Sequence, residues 1–373
     1  MDFEFTDDQL SLRDAVQRWV DKGFSFERRH ALAKAGGATR AVYAELAELG
    51  LGGLAVPAAH GGLGFGAVEA MVVMEELGRG LVSAPYAAAA LVAPALLAGG
   101  EPATQAAWLP RIADGSALVV PAVQERAARY RLDTAATAAT QVAGAWSLSG
   151  HKSLVPAGDE ADAYLLPARV GAQAGAPIAL FLVERARCTV RGYPTQDGAR
   201  AADITLAGSP ASLVIADAAT ALEYAADVGI AAACAEGVGL MDKLLAVTVE
   251  YMNTRKQFGV AIASFQALRH RVADVKMQLE LARSMSYYAS LKLGEPPPQR
   301  RRALSQAKVQ LGQSMRFAGQ QCIQLHGGIG VTDEYIASHY FKRLTMLELA
   351  WGDTLHHLGE VSERMQDTAG VFA

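Results

Sequence analysis

The chain of 373 residues is poor in cysteine, and its few cysteines form no recognisable pairing. Cys188, Cys234 and Cys322 are odd in number, lie far apart and include no Cys-x-x-Cys motif. This pattern argues against both a disulfide framework and a zinc site, and it fits a reducing compartment. We therefore expect a cytoplasmic protein that folds without disulfides.

A strong charge of either sign is also missing. The formal net charge is −4 at pH 7, which is close to neutral for a chain of this length. A nucleic-acid partner would require a clustered basic face, and we predict no such partner. The one dense basic run, Arg-Arg-Arg at 300–302, directly follows Pro-Pro-Pro at 296–298 and is expected to form a solvated loop between helices.

Long apolar runs are absent as well. The most apolar stretch, residues 86–99, contains Pro94 and is too short to span a bilayer, so it predicts a buried helix. The opening MDFEFTDDQL is acidic and has no apolar signal core. The expected protein is therefore soluble and has no membrane partner.

The residues that are present change character in three successive blocks. Residues 1–115 carry helical periodicity, and Thr6 is a plausible N-cap ahead of two acidic residues. Residues 116–217 contain short β-type runs punctuated by Gly, Asp and Pro, which predicts a compact antiparallel β domain. Residues 218–373 return to helical periodicity. The length of the chain also favours two or three domains.

The last block predicts a four-helix bundle. Two long segments with apolar periodicity cover 221–255 and 265–293, and the proline run ends the second because proline cannot continue a helix. A third helix is expected from about Ala303 to Leu325, and a fourth in the C-terminal segment. Helices of this length joined by short loops usually pack as a bundle.

One motif in this block offers a cation and an aromatic ring together. TRKQFG at 254–259 supplies the Arg255 guanidinium, a charge-assisted donor that suits a phosphate, and the ring of Phe258. SFQAL then places Gln266 at the start of the next helix. Taken alone, an arginine near the end of a helix usually compensates the helix dipole.

A second motif offers an amide and exposed backbone. QLHGGIG at 324–330 supplies Gln324 and the adjacent glycines Gly327 and Gly328, which allow a backbone to approach a ligand closely. Taken alone, a Gly-Gly pair after a helix is most often a stop signal. The combination of both motifs is more specific than either one.

In its combination of motifs, the chain resembles the acyl-CoA dehydrogenase family over its whole length. The stretches that carry the resemblance are ELAELGLGGLAVPAAHGGLGFG at 45–66, MEELGR at 74–79, WLPRIADG at 108–115, SLSGHKSLVPAGDEADAYLLPAR at 147–169, TRKQFGVAIASFQALRHRVADV at 254–275 and QLHGGIGVTDEY at 324–335. The opening looks most like the small subunit of pimeloyl-CoA dehydrogenase-type enzymes, and also like the paired subunits that dehydrogenate steroid side-chain thioesters.

The resemblance implies the acyl-CoA dehydrogenase fold, which is mainly α with a β middle domain. Its parts would be an N-terminal helical domain at 1–115, an antiparallel β domain at 116–217 and a C-terminal four-helix bundle at 218–373, usually assembled as a tetramer. It also implies FAD, an acyl-CoA substrate oxidised to the 2-enoyl-CoA, and an electron-transfer flavoprotein as redox partner. The small-subunit likeness suggests a dicarboxylyl- or pimeloyl-CoA.

The resemblance also assigns roles to the two motifs. The residues that would contact the FAD pyrophosphate and ADP, reaching across to the FAD of a neighbouring subunit, are Arg255, Phe258, Gln266, Gln324, Gly327 and Gly328.

The catalytic base is missing from its expected place. Family members commonly carry a Glu in a Tyr-Glu-Gly-Thr segment, and here that Glu position falls on Trp351 or, after a one-residue shift, on Gly352. Neither residue can abstract a proton. Asp353 is the nearest acid and the candidate base, but cap preference favours a role as the N-cap of the following helix. Glu348 lies about one helical turn earlier. Where other members carry their Glu on the first bundle helix, this chain has Gly229.

Two flavin-facing segments also depart from the family. The loop at 124–131 lacks the Thr, Pro and Gly of the Thr-Glu-Pro-x-Ala-Gly-Ser-Asp pattern. The Trp-Ile-Thr segment is replaced by Leu-Val-Pro at 154–156, which offers neither the aromatic surface nor the hydroxyl.

The losses affect contacts to the chain's own flavin ring, whereas the residues that would reach a neighbour's FAD are retained. The leading hypothesis is therefore a subunit of a FAD-dependent acyl-CoA dehydrogenase, in a heterotetramer with a homologous subunit. The alternatives are a non-catalytic structural subunit that completes the partner's FAD site, and a self-sufficient homo-oligomer that uses Asp353.

We predict no metal site. His356 and His357 are adjacent on one helix, so their side chains point about 100° apart and cannot easily share an ion.

Overall fold

The computed structural model describes residues 4–171 and 176–365. The first three residues of the MDFEFTDDQL opening and residues 366–373 of the predicted bundle lie outside this part. The chain divides into two compact units. The first comprises Met1–Arg29, Ala67–Val82 and Ile230–Ala373, and the second comprises His30–Gly66 and Ser83–Gly229. The predicted domain limits near 116 and 218 stay predictions.

Helices precede and follow a β region, which confirms the predicted order. The N-terminal helices are α1 Asp7–Gly23, α2 Phe26–Lys34, α3 Arg40–Glu48, α4 Ala67–Arg79, a π-helix Ala87–Val92, α5 Ala93–Leu97 and α6 Pro102–Ala113. The C-terminal helices are α7 Ala219–Thr254, α8 Gln266–Lys292, α9 Pro297–His326, α10 Ile336–Leu349 and α11 Thr354–Glu363.

The first helix begins as the sequence predicts. The Thr6 hydroxyl accepts a hydrogen bond from Gln9 N at 3.3 Å, and Gln9 Oε1 accepts one from Thr6 N at 3.0 Å. This reciprocal capping box satisfies two backbone donors that the helix itself cannot satisfy. Val16 and Val20 then point one face of α1 into the core.

Most of the apolar stretch at 86–99 is buried, as predicted, and residues 87–97 form the π-helix and α5. Ala98 and Gly99 at its end are exposed. Tyr86, which is 1% exposed, donates its hydroxyl to the Leu51 carbonyl at 3.0 Å. Among the described residues, the structure contains no helix with the length and apolar character needed to cross a membrane.

The middle of the chain forms a curved sheet. Its strands are β1 Val119–Pro121, β2 Ala138–Val142, β3 Ala145–Pro156, β4 Ala163–Val170, β5 Ile178–Glu184, β6 Thr189–Pro194 and β7 Arg200–Ile215. The pairing runs β4–β2–β3–β7–β5 and returns from β5 to β4, so five strands form a closed circuit. Antiparallel pairing predominates, while β1 and β2 run parallel to β4. Closure leaves these five strands paired on both sides.

Two details of the C-terminal helices differ from the sequence prediction. Helix α9 starts at Pro297 rather than near Ala303, because the fixed φ of proline suits the first turn of a helix. The arginine run at 300–302 therefore lies inside α9, and the prediction of a solvated loop is wrong: Arg300 and Arg301 are buried. The C-terminal segment forms two helices, α10 and α11, instead of one.

Candidate cofactor-binding and active site

The chain reverses direction directly after α7 in a short hairpin. Strand β8 Lys256–Gln257 pairs antiparallel with β9 Val260–Ala261, and the turn residues Phe258 and Gly259 have φ values of +54° and +82°. Two successive positive φ values characterise the turn whose twist matches a two-residue hairpin. Glycine adopts this conformation readily, whereas phenylalanine is strained there. The turn presents the Phe258 ring to solvent, with 92% of the residue exposed.

The hairpin carries an exposed aromatic and cationic surface. Arg255 N donates to the Tyr251 carbonyl at 2.8 Å, so the exposed Arg255 side chain leaves from ordered backbone. The rings of Phe258 and Phe265 meet edge to face, with their centroids 6.1 Å apart. Gln266 is the first residue of α8, and its amide is exposed beside this pair.

The second motif lies at the end of α9. Gln324 is exposed, and Gly327 ends the helix with φ +63° and ψ −141°, a conformation that favours glycine. A Cβ atom added at Gly327 or Gly328 would meet nothing within 4 Å. The backbone of both glycines is therefore open to an approaching ligand.

Buried contacts hold the two motifs at the same end of α7 and α9. Met252, Ile262 and Leu325 form one buried hydrophobic cluster. The ring of Tyr251 lies 4.7 Å from the ring of His326, centroid to centroid. The structure thus brings together the segments that carry the six predicted cofactor residues.

The chemistry of this surface fits the ADP part of FAD. The Arg255 guanidinium matches a diphosphate, the Phe258 ring offers a flat apolar face for a purine, and the amides of Gln266 and Gln324 supply further polar groups. Open glycine backbone lets main-chain N–H groups approach a phosphate. The contacts themselves stay predictions.

The expected position of the base lies between α10 and α11. We call residues 350–353 the base loop. Trp351 and Gly352 have φ values of +60° and +112°, and these two residues break the helix into α10 and α11. A Cβ atom at Gly352 would lie 2.5 Å from His357 Nε2, so this position accommodates only glycine without rearrangement.

The acids near the base loop have structural partners. Asp353 Oδ1 accepts a hydrogen bond from His356 N at 2.8 Å, which confirms the predicted N-cap role at α11. Glu348 is 6% exposed, and its Oε1 accepts from Thr354 N at 3.0 Å and from Thr354 Oγ1 at 2.7 Å. A catalytic role for Asp353 stays a prediction, and it would compete with the capping bond.

A buried lysine that sequence reasoning missed fixes the base loop. Lys308 is fully buried on α9. Its ammonium donates to the carbonyls of Leu347 at 3.0 Å, Glu348 at 2.8 Å and Gly352 at 2.9 Å. Burial lowers the pKa of Lys308 to about 8. The available signal was a lysine on the apolar face of a predicted helix, between Leu304 and Leu311.

A buried histidine adds a second hold on the base loop. His357 Nε2 lies 3.0 Å from the Trp351 carbonyl, and its Nδ1 lies 3.2 Å from Ser305 Oγ. Because a carbonyl only accepts, Nε2 carries the proton and Nδ1 accepts from the serine. Burial, reinforced by the Lys308 charge, lowers the pKa of His357 to about 3. The ring is therefore neutral at physiological pH.

The loop at 124–131, which aligns with the family's flavin-facing loop, is ordered by an ion pair despite its unusual sequence. Lys152 Nζ donates to Glu125 Oε1 at 2.6 Å and to the Pro167 carbonyl at 2.7 Å, with both charged side chains buried. Glu125 also accepts from Ala136 N at 2.6 Å and Thr137 Oγ1 at 2.7 Å. Burial alone would raise the pKa of Glu125, but Lys152 and the other donors lower it, so the carboxylate is ionised. These contacts hold the backbone of the loop in place.

The segment at 154–156 presents apolar surface. Leu154 has φ +54° and is 47% exposed, while Val155 is buried. No hydroxyl is available from these side chains, which agrees with the sequence comparison.

His339 has a structural role. Its Nδ1 lies 2.7 Å from Arg29 Nη1, and its Nε2 lies 2.8 Å from the Asp333 carbonyl. Both ring nitrogens are therefore engaged in hydrogen bonds.

Family models match two parts of the chain. Residues 220–366 match the model described as acyl-CoA dehydrogenase, C-terminal domain, and residues 6–116 match acyl-CoA dehydrogenase, N-terminal domain.

Relatives and solved structures extend the similarity over the whole chain. The acyl-CoA dehydrogenase IpdE2 of Mycobacterium tuberculosis is 30% identical over 84% of this chain and 83% of its own length. The acyl-CoA dehydrogenase FadE27 of the same organism is 25% identical over 99% of this chain and 100% of its own length. The solved steroid ACAD Tcur3481-Tcur3483 superposes with a TM-score of 0.87 at 26% identity, covering 98% of this chain and 99% of that chain.

Proposed function

The chain belongs to the acyl-CoA dehydrogenase family of flavin-dependent oxidoreductases, whose cofactor is FAD, and from this premise we propose that it is one subunit of a heteromeric dehydrogenase. The assembly oxidises an acyl-CoA thioester to the 2-enoyl-CoA. This chain's part is to complete the ADP end of the FAD site of a homologous partner, which supplies the flavin wall and the base.

The contrast between two regions of this chain carries the proposal. We call the surface formed by residues 255–266 and 324–331 the nucleotide surface. It is exposed at Phe258, and its backbone is open at Gly328. The base loop is instead held by Lys308 and His357, and its one acid, Asp353, caps α11. A general base must be free to accept a proton within reach of substrate.

The residues of the open surface would hold the cofactor as follows. Arg255 would pair with the pyrophosphate, Phe258 would pack on the ADP part, and the amides of Gln266 and Gln324 would accept or donate at its polar groups. Main-chain N–H groups at Gly327 and Gly328 would complete the phosphate contacts. When bound, the flavin supplies the acceptor for the hydride that leaves the acyl chain.

A related structure supports the heteromeric form. The steroid ACAD at 26% identity carries a paired designation, Tcur3481-Tcur3483. A steroid side-chain thioester is accordingly a reasonable first substrate class to test. A dicarboxylyl- or pimeloyl-CoA substrate rests on the sequence resemblance alone, and the relatives named above give it no support. The electron-transfer flavoprotein likewise stays a prediction of that resemblance.

The visible flavin spectrum tests the proposal. We expect the chain purified alone to contain little flavin, or flavin that acyl-CoA does not bleach. Co-expression with a homologous dehydrogenase subunit that carries intact Thr-Glu-Pro and Trp-Ile-Thr motifs should give flavin that bleaches on anaerobic addition of substrate. Arg255→Ala should lower the flavin content of the assembly, whereas Lys276→Ala, at an exposed i,i+4 ion pair, should not.

Stoichiometric flavin that bleaches in the chain alone would overturn the proposal. It would favour the self-sufficient homo-oligomer, for which Asp353→Asn should then abolish bleaching. The assembly could also keep its full flavin content when Arg255, Phe258 and Gln266 are all replaced by alanine. That result would favour a purely structural subunit.

A further inference from the structure

His326 lies inside the second cofactor motif and packs against the end of α7 that leads into the first motif. It is the last residue of α9, directly before Gly327, and it is 2% exposed. Its ring packs against Tyr251, with centroids 4.7 Å apart, and against Tyr335, with centroids 5.1 Å apart. The two tyrosine rings are themselves 6.2 Å apart, so the three rings form one cluster. Tyr251 precedes the Arg255 hairpin by one turn of α7. His326 therefore contacts both the α7 end and the loop that follows the glycines.

The hydrogen bonding of His326 fixes its tautomer. Nδ1 lies 2.8 Å from the Cys322 carbonyl, and because a carbonyl only accepts, Nδ1 carries the proton. In the neutral ring Nε2 is then a lone-pair acceptor. Nε2 is buried and has no hydrogen-bond partner among the described residues.

The glycine turn packs against the Cβ atom of His326. A Cβ atom at Gly330 would lie 2.8 Å from His326 Cβ and 2.9 Å from the Ile323 carbonyl. Gly330 thus lets the turn at 327–331 fold back onto the histidine. The position of the His326 side chain and the path of the backbone that follows α9 are consequently coupled.

We propose that His326, as the neutral Nδ1–H tautomer, is a positioning residue that orients the Gly327–Gly328 backbone toward the diphosphate of FAD. The inference rests on the proposed function and adds a residue that does not itself touch the cofactor. Its Nδ1–H bond to Cys322 sets the ring angle, and the contacts with Tyr251 and Tyr335 hold the ring in place.

Protonation should disrupt this arrangement. A second proton on Nε2 would place a charged N–H donor in a buried site that offers it no acceptor among the described residues. The titratable groups that pack on the ring are the phenols of Tyr251 and Tyr335, and Glu250 lies near Tyr335. Burial lowers the pKa of His326, so neutrality is favoured in the folded state and is lost only on acidification.

FAD binding to two variants tests the inference. The measurement is quenching of FAD fluorescence, at about pH 8 and about pH 5, with the assembly or with the chain alone if it retains flavin. His326→Phe keeps the ring but loses the Nδ1–H bond, and we expect its Kd for FAD to rise about tenfold. His326→Asn keeps an N–H near Nδ1 but loses the ring, and we expect a rise below about threefold. The melting temperatures should rank in the opposite order.

The wild-type protein should bind FAD more weakly at the acidic pH, and both variants should lose part of this dependence. Equal affinity and an equal pH dependence for His326→Phe and wild type would overturn the inference while leaving the proposed function intact. The inference would also be overturned, and the proposed function kept, if Arg255→Ala weakened FAD binding and neither His326 variant did. Absence of FAD binding by wild type in any form would overturn the proposed function and the inference with it.

A measurement without variants addresses the tautomer directly. Nitrogen-15 NMR of histidine-labelled protein should show His326 protonated at Nδ1 and unprotonated at Nε2. A proton on Nε2 at neutral pH would contradict the proposal even if every variant failed to fold.

Discussion

At the residue scale, buried titratable groups stabilise the base loop, which is where the family's catalytic glutamate would align. Lys308 and His357 hold the base loop through its carbonyls, so these contacts do not depend on which side chains the loop carries. Burying an ammonium is costly unless its donors are satisfied, and here three carbonyls satisfy it. Loss of Lys308 would therefore change the backbone path of the base loop.

His357 should make the stability of the protein depend on pH. Its pKa is lowered from 6.5 to about 3 in the folded protein. Between these pH values the imidazole is protonated in the unfolded chain and neutral in the folded protein. The sign follows directly: His357 contributes fully to stability above pH 6.5, and the contribution is lost as the pH falls toward 3. Between neutral pH and about pH 5 the loss should be about 2 kcal/mol.

Urea denaturation of His357→Gln at these two pH values measures the effect. The amide nitrogen of glutamine can still donate to the Trp351 carbonyl but does not titrate. We expect the variant to lose less stability than wild type on acidification. His151→Gln, at an exposed position in β3, is the control and should behave as wild type. A pH slope that His357→Gln leaves unchanged would contradict the assignment.

At the element scale, two hairpins share a backbone geometry but differ in what they present. The β8–β9 turn has Phe258 and Gly259 at φ +54° and +82°, and the β2–β3 turn has Ala143 and Gly144 at φ +51° and +85°. A positive φ costs a residue with a side chain about 1 kcal/mol or more, and asparagine tolerates it better. An exposed phenylalanine at such a strained position favours a binding role.

The two hairpins provide a matched experiment. Phe258→Asn should leave stability unchanged or raise it by up to about 1 kcal/mol, because the ring buries little and the strain is relieved. It should nevertheless weaken FAD binding, since the aromatic face is lost. Ala143→Asn makes the matching substitution at the same turn position of the β2–β3 hairpin, which belongs to neither cofactor motif, and should affect stability alone. Melting temperature and FAD titration of both variants give the comparison, and unaltered FAD affinity in Phe258→Asn would count against the predicted contact.

At the scale of the whole molecule, the nucleotide surface also carries exposed apolar residues. Phe258 is 92% exposed, Val331 71%, Val260 44% and Ile329 42%. Single exposed apolar residues are normal, but a group of them around a candidate site indicates a surface that a partner covers. This agrees with a cofactor site that two subunits share.

Assembly should therefore protect this surface. Hydrogen exchange of residues 255–266 and 327–331 is expected to slow when the homologous subunit and FAD are present. Residues 138–145 of the β2–β3 hairpin provide the internal control and should exchange at the same rate in both states. Unchanged exchange at 255–266 would mean that the partner, if any, binds elsewhere.

The sequence predicted the order of helices and strands because periodicity and turn residues are local properties. It also predicted Thr6 and Asp353 as N-caps, since a cap depends on a few neighbouring residues. It failed for Lys308 because the partners of that ammonium lie about forty positions further along the chain. The error at 300–302 has a similar origin: whether arginines at a helix start are solvated depends on what packs against them.

The geometry at Gly352 has an evolutionary consequence. Its φ of +112° and the nearness of His357 leave no room for a larger side chain at one of the two positions where the family's glutamate would align. A single codon change there could not restore a base, because the mutated chain would first have to rebuild the surrounding helix ends. Dependence on another gene product would then be hard to reverse, and the two genes would be expected to be inherited together.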